Sequence, residues 1–344
     1  MTLARQEIAA KGRSVAGMNR EKRILVVKLS SLGDLFHTLP AVHAIRGHLN
    51  ARVDWVTQPE YEDLVRCFTD VDRVLLFHRK AAFRQMRPLL QDVRSERYDL
   101  AIDFQGLMKS AFIVSAARAD RSLGPSYHRE GSRLFYNDVP GPADRSRHAV
   151  LQAFDCARFL GAPDREKRFP VSFPKSSIDS NHPRILFIPC SRWPSKNWPA
   201  DRFAELGQRL IGELGATLYV AGGPEDRDVC DQIESAGGGV HNLCGKTTLP
   251  MLGGVIQRMD LVVTVDTGPM HMAAAVGVPV VAIFGPTNPE KTRPFGTEHR
   301  IVHADIDHDG KSWRSHGDEV IRSITIDRVA DEIFQFLDHL NLPA

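Results

Sequence analysis

Short apolar runs rich in β-branched residues recur along the chain, and longer amphipathic segments separate them. We expect strands at residues 24–29, 53–57, 74–77, 100–104, 185–189, 217–221, 261–265 and 280–284. Buried strands that alternate with helical segments are typical of parallel sheets joined by crossover helices. The pattern therefore predicts an α/β fold with two doubly wound, Rossmann-like sheets.

Residues 171–184, between the two sets of strands, are rich in proline and serine and show no apolar periodicity. Such a segment is typical of a linker. We therefore divide the chain into a tail at 1–22, one domain at 23–175, a second at 185–326 and a closing helix at 327–341. Asp327 has the residue type of a helix N-cap, and apolar residues follow it at helical spacing. A closing helix of this kind often packs back across the domain junction.

Composition and charge exclude several classes of protein. The 344 residues are 42% hydrophobic and 25% charged, with no apolar run long enough for a membrane span. A net charge of +2 does not favour nucleic acid as a partner. Five scattered cysteines without a CxxC pair indicate neither a disulfide framework nor a zinc site. Because residues 1–22 lack the apolar core of a signal peptide, we expect a cytoplasmic protein.

The turn after the first strand places an acidic residue at the mouth of a helix. It reads Lys28-Leu29-Ser30-Ser31-Leu32-Gly33-Asp34. Open parallel sheets bind ligands at the carboxyl ends of their strands, so Asp34 can face a cleft as a general base. It can equally be a helix N-cap that only accepts backbone hydrogen bonds. Spacing alone leaves both interpretations open.

A second strand, turn and helix start occupies residues 263–271. It contains Asp266, Thr267, Gly268 and His271. Free N–H groups at a helix start favour a diphosphate, and Gly268 allows a ligand to approach the backbone. The alternative is a capped helix with a packed histidine.

Two further turns carry candidate donor contacts. Lys196 lies between Trp193 and Trp198, where its ammonium can neutralise a departing diphosphate without a metal. The alternative is a tryptophan-rich packing loop with a solvated lysine. Glu225 follows Gly222-Gly223-Pro224 and can bind ribose hydroxyls, or it can simply belong to a tight turn.

Three stretches resemble phosphate or metal motifs but fail on context. Gly245-Lys246-Thr247 lacks the Walker spacing, and the acidic run at 305–309 has His316 where a calcium loop needs glutamate. Asp70-Val71-Asp72 leads only into a strand. We therefore predict no metal site.

A basic segment at 79–97 places Lys80, Arg84 and Arg87 on one helical face. This face can meet an anionic acceptor or an anionic membrane surface. It can equally be a solvated face, since charge runs often serve solubility.

Together these segments resemble glycosyltransferase family 9, the lipopolysaccharide heptosyltransferases. The resemblance rests on residues 28–34 with Pro40, Tyr98-Asp99, residues 102–110, Lys196-Asn197-Trp198-Pro199, Gly222-Gly223-Pro224-Glu225 and residues 266–271. The segment around Asp103 and Leu134-Phe135-Tyr136-Asn137 are more similar to heptosyltransferase I than to heptosyltransferase II.

The resemblance implies a GT-B architecture, in which two Rossmann-like domains face a central cleft. It implies an inverting enzyme that moves L-glycero-D-manno-heptose from ADP-heptose to a Kdo-bearing lipid A, with no cofactor and no required metal. Residues 23–175 would bind the acceptor and residues 185–326 the donor. The protein would contact the cytoplasmic face of the inner membrane peripherally.

The resemblance also implies roles for individual residues. Asp34 would be the base, Lys196 the diphosphate contact and Glu225 the ribose contact. The remaining donor contacts would be Asp266, Thr267, Gly268 and His271, with Ser191 and Thr247. The acceptor side would hold Asp103, Gln105, Lys109, Arg84 and Arg87.

The chain departs from the family pattern in three places. The loop before Lys196 has one residue more than is typical of heptosyltransferase I, the tail before Arg23 is extra, and residues 303–318 match no family motif. The alternative function is a family 9 enzyme that adds a later heptose or another sugar to a different glycan. A nicotinamide-dependent oxidoreductase is disfavoured because neither opening strand leads into GxGxxG. An exported solute-binding protein is disfavoured by the missing signal peptide.

Overall fold

The computed structural model describes residues 21–79, 82–178, 183–235, 239–296, 298–304 and 313–339. Most strands of these residues belong to two parallel sheets, one in each half of the chain. The strands of the first half are β1 (Lys22–Val27), β2 (Ala51–Thr57), β3 (Arg73–Leu76), β4 (Arg97–Tyr98), β5 (Leu100–Asp103), β6 (Arg118–Ala119) and β7 (Ser122–Leu123). Those of the second half are β8 (Arg184–Ile188), β9 (Thr217–Val220), β10 (Val240–Asn242), β11 (Leu261–Val265), β12 (Val280–Phe284) and β13 (His299–His303).

The strand order of each sheet identifies where a ligand can bind. The first sheet has the order β3-β2-β1-β5-β7, and β4 pairs with β6 outside it. The second has the order β10-β9-β8-β11-β12-β13. The order reverses between β1 and β5 and again between β8 and β11, and ligands of open α/β sheets bind at the carboxyl ends of strands at such reversals.

Helices connect the strands and cover the sheets. They are α1 (Leu32–Leu49), α2 (Glu62–Val65), α3 (Ala82–Arg94), α4 (Met108–Ala116), α5 (Ala149–Phe159), α6 (Ala200–Leu214), α7 (Arg227–Ser235), α8 (Leu249–Ile256), α9 (Gly268–Ala275), α10 (Pro289–Thr292), α11 (Trp313–Arg322) and α12 (Ile326–His339). None of the helices in the described ranges combines the length and apolar character needed to cross a bilayer.

The predicted α/β class with two parallel sheets is confirmed, and all eight predicted strands are present within two residues of the expected bounds. Five strands were missed: the short β4 and β6, which pair only with each other, and three strands of the main sheets, namely β7, β10 and β13. Each of these last three lies at the edge of its sheet. Edge strands bury less of each residue, so their sequences lack the continuous apolar run that marks a central strand.

The predicted linker is attached to both halves where the structure describes it. Its first residue, Val171, pairs with Phe68 of the first half. Phe173 is buried against α8 of the second half, and a Cβ on Gly253 would come within 2.5 Å of its ring. The assignment of 23–175 and 185–326 as functional domains stays a prediction.

The last helix corrects two expectations. α12 begins at Ile326, and the backbone N–H of Arg328 donates to Thr325 Oγ1 at 3.3 Å, so Thr325 and not Asp327 is the cap. Asp327 instead accepts a hydrogen bond from Arg209 on α6. The buried residues of α12 pack in the core of the second sheet, so the expectation that this helix crosses the junction is wrong.

Candidate active site

The loops that follow β1, β8 and β11 line one cleft between the two sheets, with a volume of about 660 Å³. In both sheets, the strands next to the reversal in strand order thus end at the same cleft. The predicted site residues that line the cleft are Asp34, Ser191, Lys196, Glu225, Thr247, Asp266, Thr267, Gly268 and His271. The structure therefore brings the proposed base and every predicted donor contact together.

Asp34 lies in the first turn of α1, and both interpretations of this residue have structural support. Ser31 is the N-cap of the helix, and its backbone N–H and hydroxyl both donate to Asp34 Oδ2, at 3.0 and 2.9 Å. Asp34 therefore stabilises the helix start from the third helical position, not as the N-cap itself. Its side chain is still 43% exposed, and Oδ1 remains for a ligand in the cleft.

The surroundings of Asp34 keep its carboxylate ionised. Burial of the site would raise its pKa, but the Lys28 ammonium 4.0 Å away, the His37 ring and the Ser31 amide together hold the pKa below the ordinary value. Lys28 is itself buried, and its Nζ donates to the carbonyl of Phe104. Asp34 is therefore ionised at any physiological pH.

Three histidines meet beside Asp34, and they come from distant parts of the sequence. His37 Nε2 lies 3.1 Å from His271 Nδ1, and the His148 ring packs edge-on against His37 at 5.8 Å between centroids. Burial, reinforced by the neighbouring His37, lowers the pKa of His271 well below its usual value. Burial likewise lowers the pKa of His148 to about 4. His148 and His271 are therefore neutral near pH 7.

Lys196 and Asp266 form an ion pair in the second half of the cleft. Lys196 Nζ donates to Asp266 Oδ2 at 2.6 Å, and Thr287 Oγ1 donates to the same oxygen at 2.8 Å. The two side chains are 17% and 9% exposed. Since an ammonium held by a carboxylate keeps its remaining N–H donors for an anion, Lys196 is a fixed cation at the cleft wall.

The loop that carries Lys196 is anchored at both ends. Asn197 Oδ1 accepts from the Ser191 backbone N–H at 2.7 Å, and the Ser191 hydroxyl donates to the carbonyl of Trp193. Trp198 is buried, and its indole N–H donates to the carbonyl of Ile324 at 2.9 Å. This part of the tryptophan-rich loop is a packing element, while Lys196 on the same loop lines the cleft.

The start of α9 offers backbone N–H groups to the cleft. Thr267 is its N-cap, and its side chain makes no capping hydrogen bond within the described part of the chain. The first-turn amides therefore stay available for an anionic ligand. Glu225 lies opposite on an exposed turn after β9, where its carboxylate can reach ligand hydroxyls.

The starts of α1 and α9 touch each other across the junction. A Cβ on Gly33 would come within 2.4 Å of the His271 ring, and a Cβ on Gly268 would come within 2.6 Å of the Leu32 side chain. Each helix start thus needs a glycine where a side chain from the other helix packs against its backbone. The close approach places the Asp34 turn beside the α9 start.

The predicted acceptor-side residues with described side chains do not line the cleft, and two of them are structural. Asp103 is fully buried; its Oδ1 accepts from the backbone of Gln105 and Gly106, and its Oδ2 accepts from Tyr136 at 2.6 Å. The expectation that Asp103 meets the acceptor is therefore wrong. Gln105 Oε1 accepts from the backbone N–H groups of Leu29 and Ser30, so it shapes the turn that leads to Asp34.

The other acceptor-side candidates lie on α3 and α4. Lys109 is partly exposed, with Nζ 5.9 Å from the centre of the Phe77 ring, and burial and the nearby Arg79 lower its pKa. Arg87 is exposed on α3. The side chain of Arg84 and all of Lys80 lie outside the described residues.

The rejected metal motifs have other partners where the structure describes them. Asp70 contacts His43 and Arg46, and Asp72 accepts from the backbone N–H of Val53. Residues 305–309 lie outside the described residues. No group of three or more metal-binding side chains converges within the described ranges.

Sequence reasoning missed three residues that surround the base, namely Lys28, His37 and His148. Lys28 was noted only as part of a motif, and the histidines carry no local pattern that marks them. His37 and His271 are 234 positions apart, so only the fold brings them together.

Comparison with known proteins decides the family. A family model described as glycosyltransferase family 9 (heptosyltransferase) matches residues 86–315, which is more than half of the chain. The chain belongs to glycosyltransferase family 9. It is therefore a glycosyltransferase, as its motifs predict.

Related sequences place this family 9 enzyme among the lipopolysaccharide heptosyltransferases. It is 29% identical over 304 residues to lipopolysaccharide heptosyltransferase 1 of Pseudomonas aeruginosa, covering 80% of this chain and 81% of that protein. It is 28% identical over 305 residues to lipopolysaccharide heptosyltransferase 1 of Escherichia coli K12, covering 82% and 93%. It is also 26% identical over 310 residues to lipopolysaccharide heptosyltransferase 2 of that strain, covering 81% and 87%.

Solved structures identify the fold. The E. coli heptosyltransferase WaaC with ADP superposes with a TM-score of 0.78 at 24% identity, covering 91% of this chain and 99% of that one. The E. coli ADP-heptose lipopolysaccharide heptosyltransferase II superposes with a TM-score of 0.77 at 24% identity, covering 93% and 99%. The family 9 enzyme thus has the GT-B fold that its sequence predicts.

Proposed function

We propose that the enzyme transfers L-glycero-D-manno-heptose from ADP-heptose to a Kdo-bearing lipid A, with inversion at the anomeric carbon. The observation that carries this proposal is the composition of the cleft. An ionised carboxylate from the first half shares the cleft with a fixed lysine and an open helix start from the second half. That arrangement suits a displacement in which a hydroxyl loses a proton and a diphosphate leaves.

Asp34 acts as the base in this mechanism. Its Oδ2 is occupied by Ser31, so Oδ1 takes the proton of the acceptor hydroxyl. The hydroxyl oxygen forms a bond to the anomeric carbon as the bond from that carbon to the diphosphate oxygen breaks. The electron pair of the broken bond leaves with ADP, and the proton ends on Asp34.

The second half stabilises the departing ADP. The Lys196 ammonium and the first-turn amides of α9 are positioned before the reaction, so they meet the growing negative charge without rearrangement. Asp266 holds the lysine in place. Neutral His271 offers a hydrogen bond but no charge, which suits a sugar hydroxyl better than a phosphate.

The nucleoside of the donor would lie toward Glu225, Ser191 and Thr247. All three line the cleft on the side of the second sheet. The exposed Glu225 carboxylate suits the ribose hydroxyls, since an ionised carboxylate only accepts hydrogen bonds. We therefore assign the donor to the second half and the acceptor to the first.

The acceptor and the membrane would meet the surface formed by α3, α4 and residues 132–135. Exposed apolar side chains on this surface are Met108, Phe112 and Leu134, which are 40%, 45% and 87% exposed. Arg87 and Lys109 add positive charge nearby. A mixed apolar and basic surface suits a lipid with an anionic head group, so the enzyme would work peripherally on the cytoplasmic face of the inner membrane.

The alternative function is addition of a later heptose or another sugar. It has support of its own, because relatives include lipooligosaccharide heptosyltransferase 2 of Haemophilus ducreyi, 30% identical over 279 residues. The two functions use the same cleft chemistry and differ only in the acceptor or donor.

An acceptor and donor panel tests the proposal. ADP release is measured with ADP-heptose and, in parallel, Kdo-bearing lipid A that carries no heptose or one heptose. We expect turnover with the acceptor that carries no heptose. Turnover only with the heptosylated acceptor would support the alternative, and release of another nucleotide from another donor would overturn the donor assignment.

A further inference from the structure

His37 is a buried histidine that touches the proposed base on one side and the donor half on the other. It lies on α1 and is only 5% exposed. Its Nδ1 lies 3.7 Å from Asp34 Oδ1, and its Nε2 lies 3.1 Å from His271 Nδ1. One imidazole thus connects a carboxylate of the first half with the helix start of the second half.

The Nδ1 atom of His37 is buried and has no hydrogen-bond partner among the described residues. A buried polar nitrogen without a partner destabilises the folded state. Asp34 Oδ1 faces this nitrogen at 3.7 Å, just beyond hydrogen-bond reach, and the Asp34 side chain is 43% exposed. Closure of this gap would give the nitrogen a partner and would fix the orientation of the carboxylate.

Of the two neutral forms of His37, only one makes both of its contacts favourable. If Nε2 carried the proton, Nδ1 would present a lone pair to an ionised carboxylate, which is repulsive. If Nδ1 carries the proton, it donates toward Asp34, and Nε2 accepts from Nδ1–H of His271. This second arrangement needs both rings in the Nδ1–H form, with His271 neutral as its burial requires.

We propose that His37 is a positioning residue, which donates from Nδ1 to Asp34 and accepts at Nε2 from His271. The two hydrogen bonds orient the base carboxylate relative to the helix start assigned to the donor. The inference rests on the proposed role of Asp34 as the base. The positions of the protons, however, can be measured in the resting protein without any turnover.

Other titratable groups face this pair of hydrogen bonds, and their protonation can affect the pH profile of the enzyme. They are Lys28, Tyr127, His148 and Lys196. Burial raises the pKa of Tyr127 and lowers that of His148 to about 4, so both are neutral near pH 7. Lys28 stabilises the ionised Asp34, and Lys196 is paired with Asp266.

The first experiment reads the proton positions by ¹⁵N NMR of the imidazole rings at pH 7. Neutral histidines in water prefer the Nε2–H form, so an Nδ1–H form at both His37 and His271 would be distinctive. The signals are assigned with His37→Asn and His271→Gln. We expect both rings in the Nδ1–H form. An Nε2–H form or a doubly protonated ring at His37 overturns the proposal, whether or not the protein transfers heptose.

The second experiment separates the two hydrogen bonds with matched variants. In His37→Asn the side-chain amide nitrogen takes the place of Nδ1 and can still donate to Asp34. In His37→Gln the amide takes the place of Nε2, so the contact with Asp34 is lost. We expect His37→Gln to lower kcat about tenfold or more, as for one lost charge-assisted hydrogen bond.

The pH profile distinguishes positioning from packing. Because His37 helps to hold the pKa of Asp34 low, His37→Gln should move the acid limb of kcat to higher pH, while His37→Asn should keep the limb of the unaltered protein. His48→Asn, at an exposed histidine of the same helix, is the control. It should change neither kcat nor the pH of the acid limb. If His37→Asn and His37→Gln lose equal fractions of kcat and both keep the acid limb of the unaltered protein, the proposal is overturned. Absence of heptose transfer in the unaltered protein would contradict the proposed function instead.

Discussion

Lys196 Nζ and Asp266 Oδ2 lie 2.6 Å apart, so two residues predicted separately as donor contacts are each other's partners. They come from loops that follow different strands of the second sheet. An ion pair so little exposed keeps the ammonium in place before any ligand arrives. The donor diphosphate would therefore meet a cation that needs no further ordering.

Lys196→Ala should weaken ADP binding and slow transfer. One lost charge-assisted contact is worth roughly 1.5–3 kcal/mol, or about a tenfold to hundredfold change in affinity. Calorimetric titration of ADP measures this, with Lys175→Ala at an exposed lysine as the control. Unchanged ADP affinity in Lys196→Ala would remove the lysine from the donor site.

The partner variant Asp266→Asn separates charge from positioning. It removes a negative charge beside the diphosphate and leaves the lysine, so ADP should bind at least as tightly as before. Transfer should nevertheless slow, because the lysine is no longer held. A loss of ADP affinity as large as that of Lys196→Ala would mean that Asp266 contacts the ligand directly.

Asp34→Asn should leave the fold and ADP affinity intact and lower kcat by about 10² to 10⁴, the usual contribution of a general base. The amide oxygen can still accept from Ser31, so the start of α1 is retained. Thermal unfolding and ADP titration check the fold and the donor site. Nearly full kcat in this variant would leave Asp34 with its structural role alone.

The burial of His148 predicts how stability depends on pH. His148 Nδ1 accepts from the backbone N–H of Val150, and Nε2 bonds to the carbonyl of Arg293, so the ring is held neutral. Its pKa of about 4 lies below the value near 6.5 of an unfolded chain, so the unfolded state binds the proton first as pH falls. Stability is therefore complete above pH 6.5 and falls toward pH 4, by about 2 kcal/mol at pH 5.

Denaturant unfolding at pH 7 and pH 5 measures this loss. His148→Gln cannot take up the proton, so its stability should differ less between the two pH values than that of the unaltered protein. An equal difference in both proteins would assign the pH dependence to other groups, of which buried His271 shifts in the same direction.

Neutralising Arg84 and Arg87 together should raise the KM for the acceptor and leave ADP affinity unchanged. The reason is that α3 lies in the first half, away from the cleft wall that carries Lys196. Initial rates at varied acceptor concentration and calorimetry with ADP give the two quantities. Weaker ADP binding in this double variant would mean that donor and acceptor are assigned to the wrong halves.

Transfer should survive EDTA. The expectation follows from Lys196, whose ammonium can take the place of a cation beside the diphosphate. Initial rates are compared with and without chelator, followed by addition of Mg²⁺ or Mn²⁺. Activity that disappears with EDTA and returns with either metal would contradict it.

The sequence indicates a cleft residue where a polar side chain follows the apolar run of a central strand. Central strands carry continuous apolar runs, and Asp34, Lys196 and His271 each follow such a strand directly or after one turn. Residues of this kind can be found because the end of a buried parallel strand is itself the ligand-binding edge of the sheet.

The sequence could not show in which direction a polar side chain points. Asp103 also lies at the end of a buried strand, yet its carboxylate points inward to Tyr136, 33 positions away. His37 is one polar residue on a buried helix, and its contact with His271 comes from the other half of the chain. Such contacts depend on how the two sheets meet, which no local spacing encodes.

The loop of Lys196 is fixed by residues that lie at least 120 positions later in the sequence. Trp198 donates to the carbonyl of Ile324, and Arg202 donates to the carbonyls of Arg322 and Ile324. During synthesis on the ribosome, the turn of Asp34 can therefore form long before the residues that anchor Lys196 have emerged. A nascent chain would hold a base without its opposing cation until residues 322–324 have been synthesised and have folded.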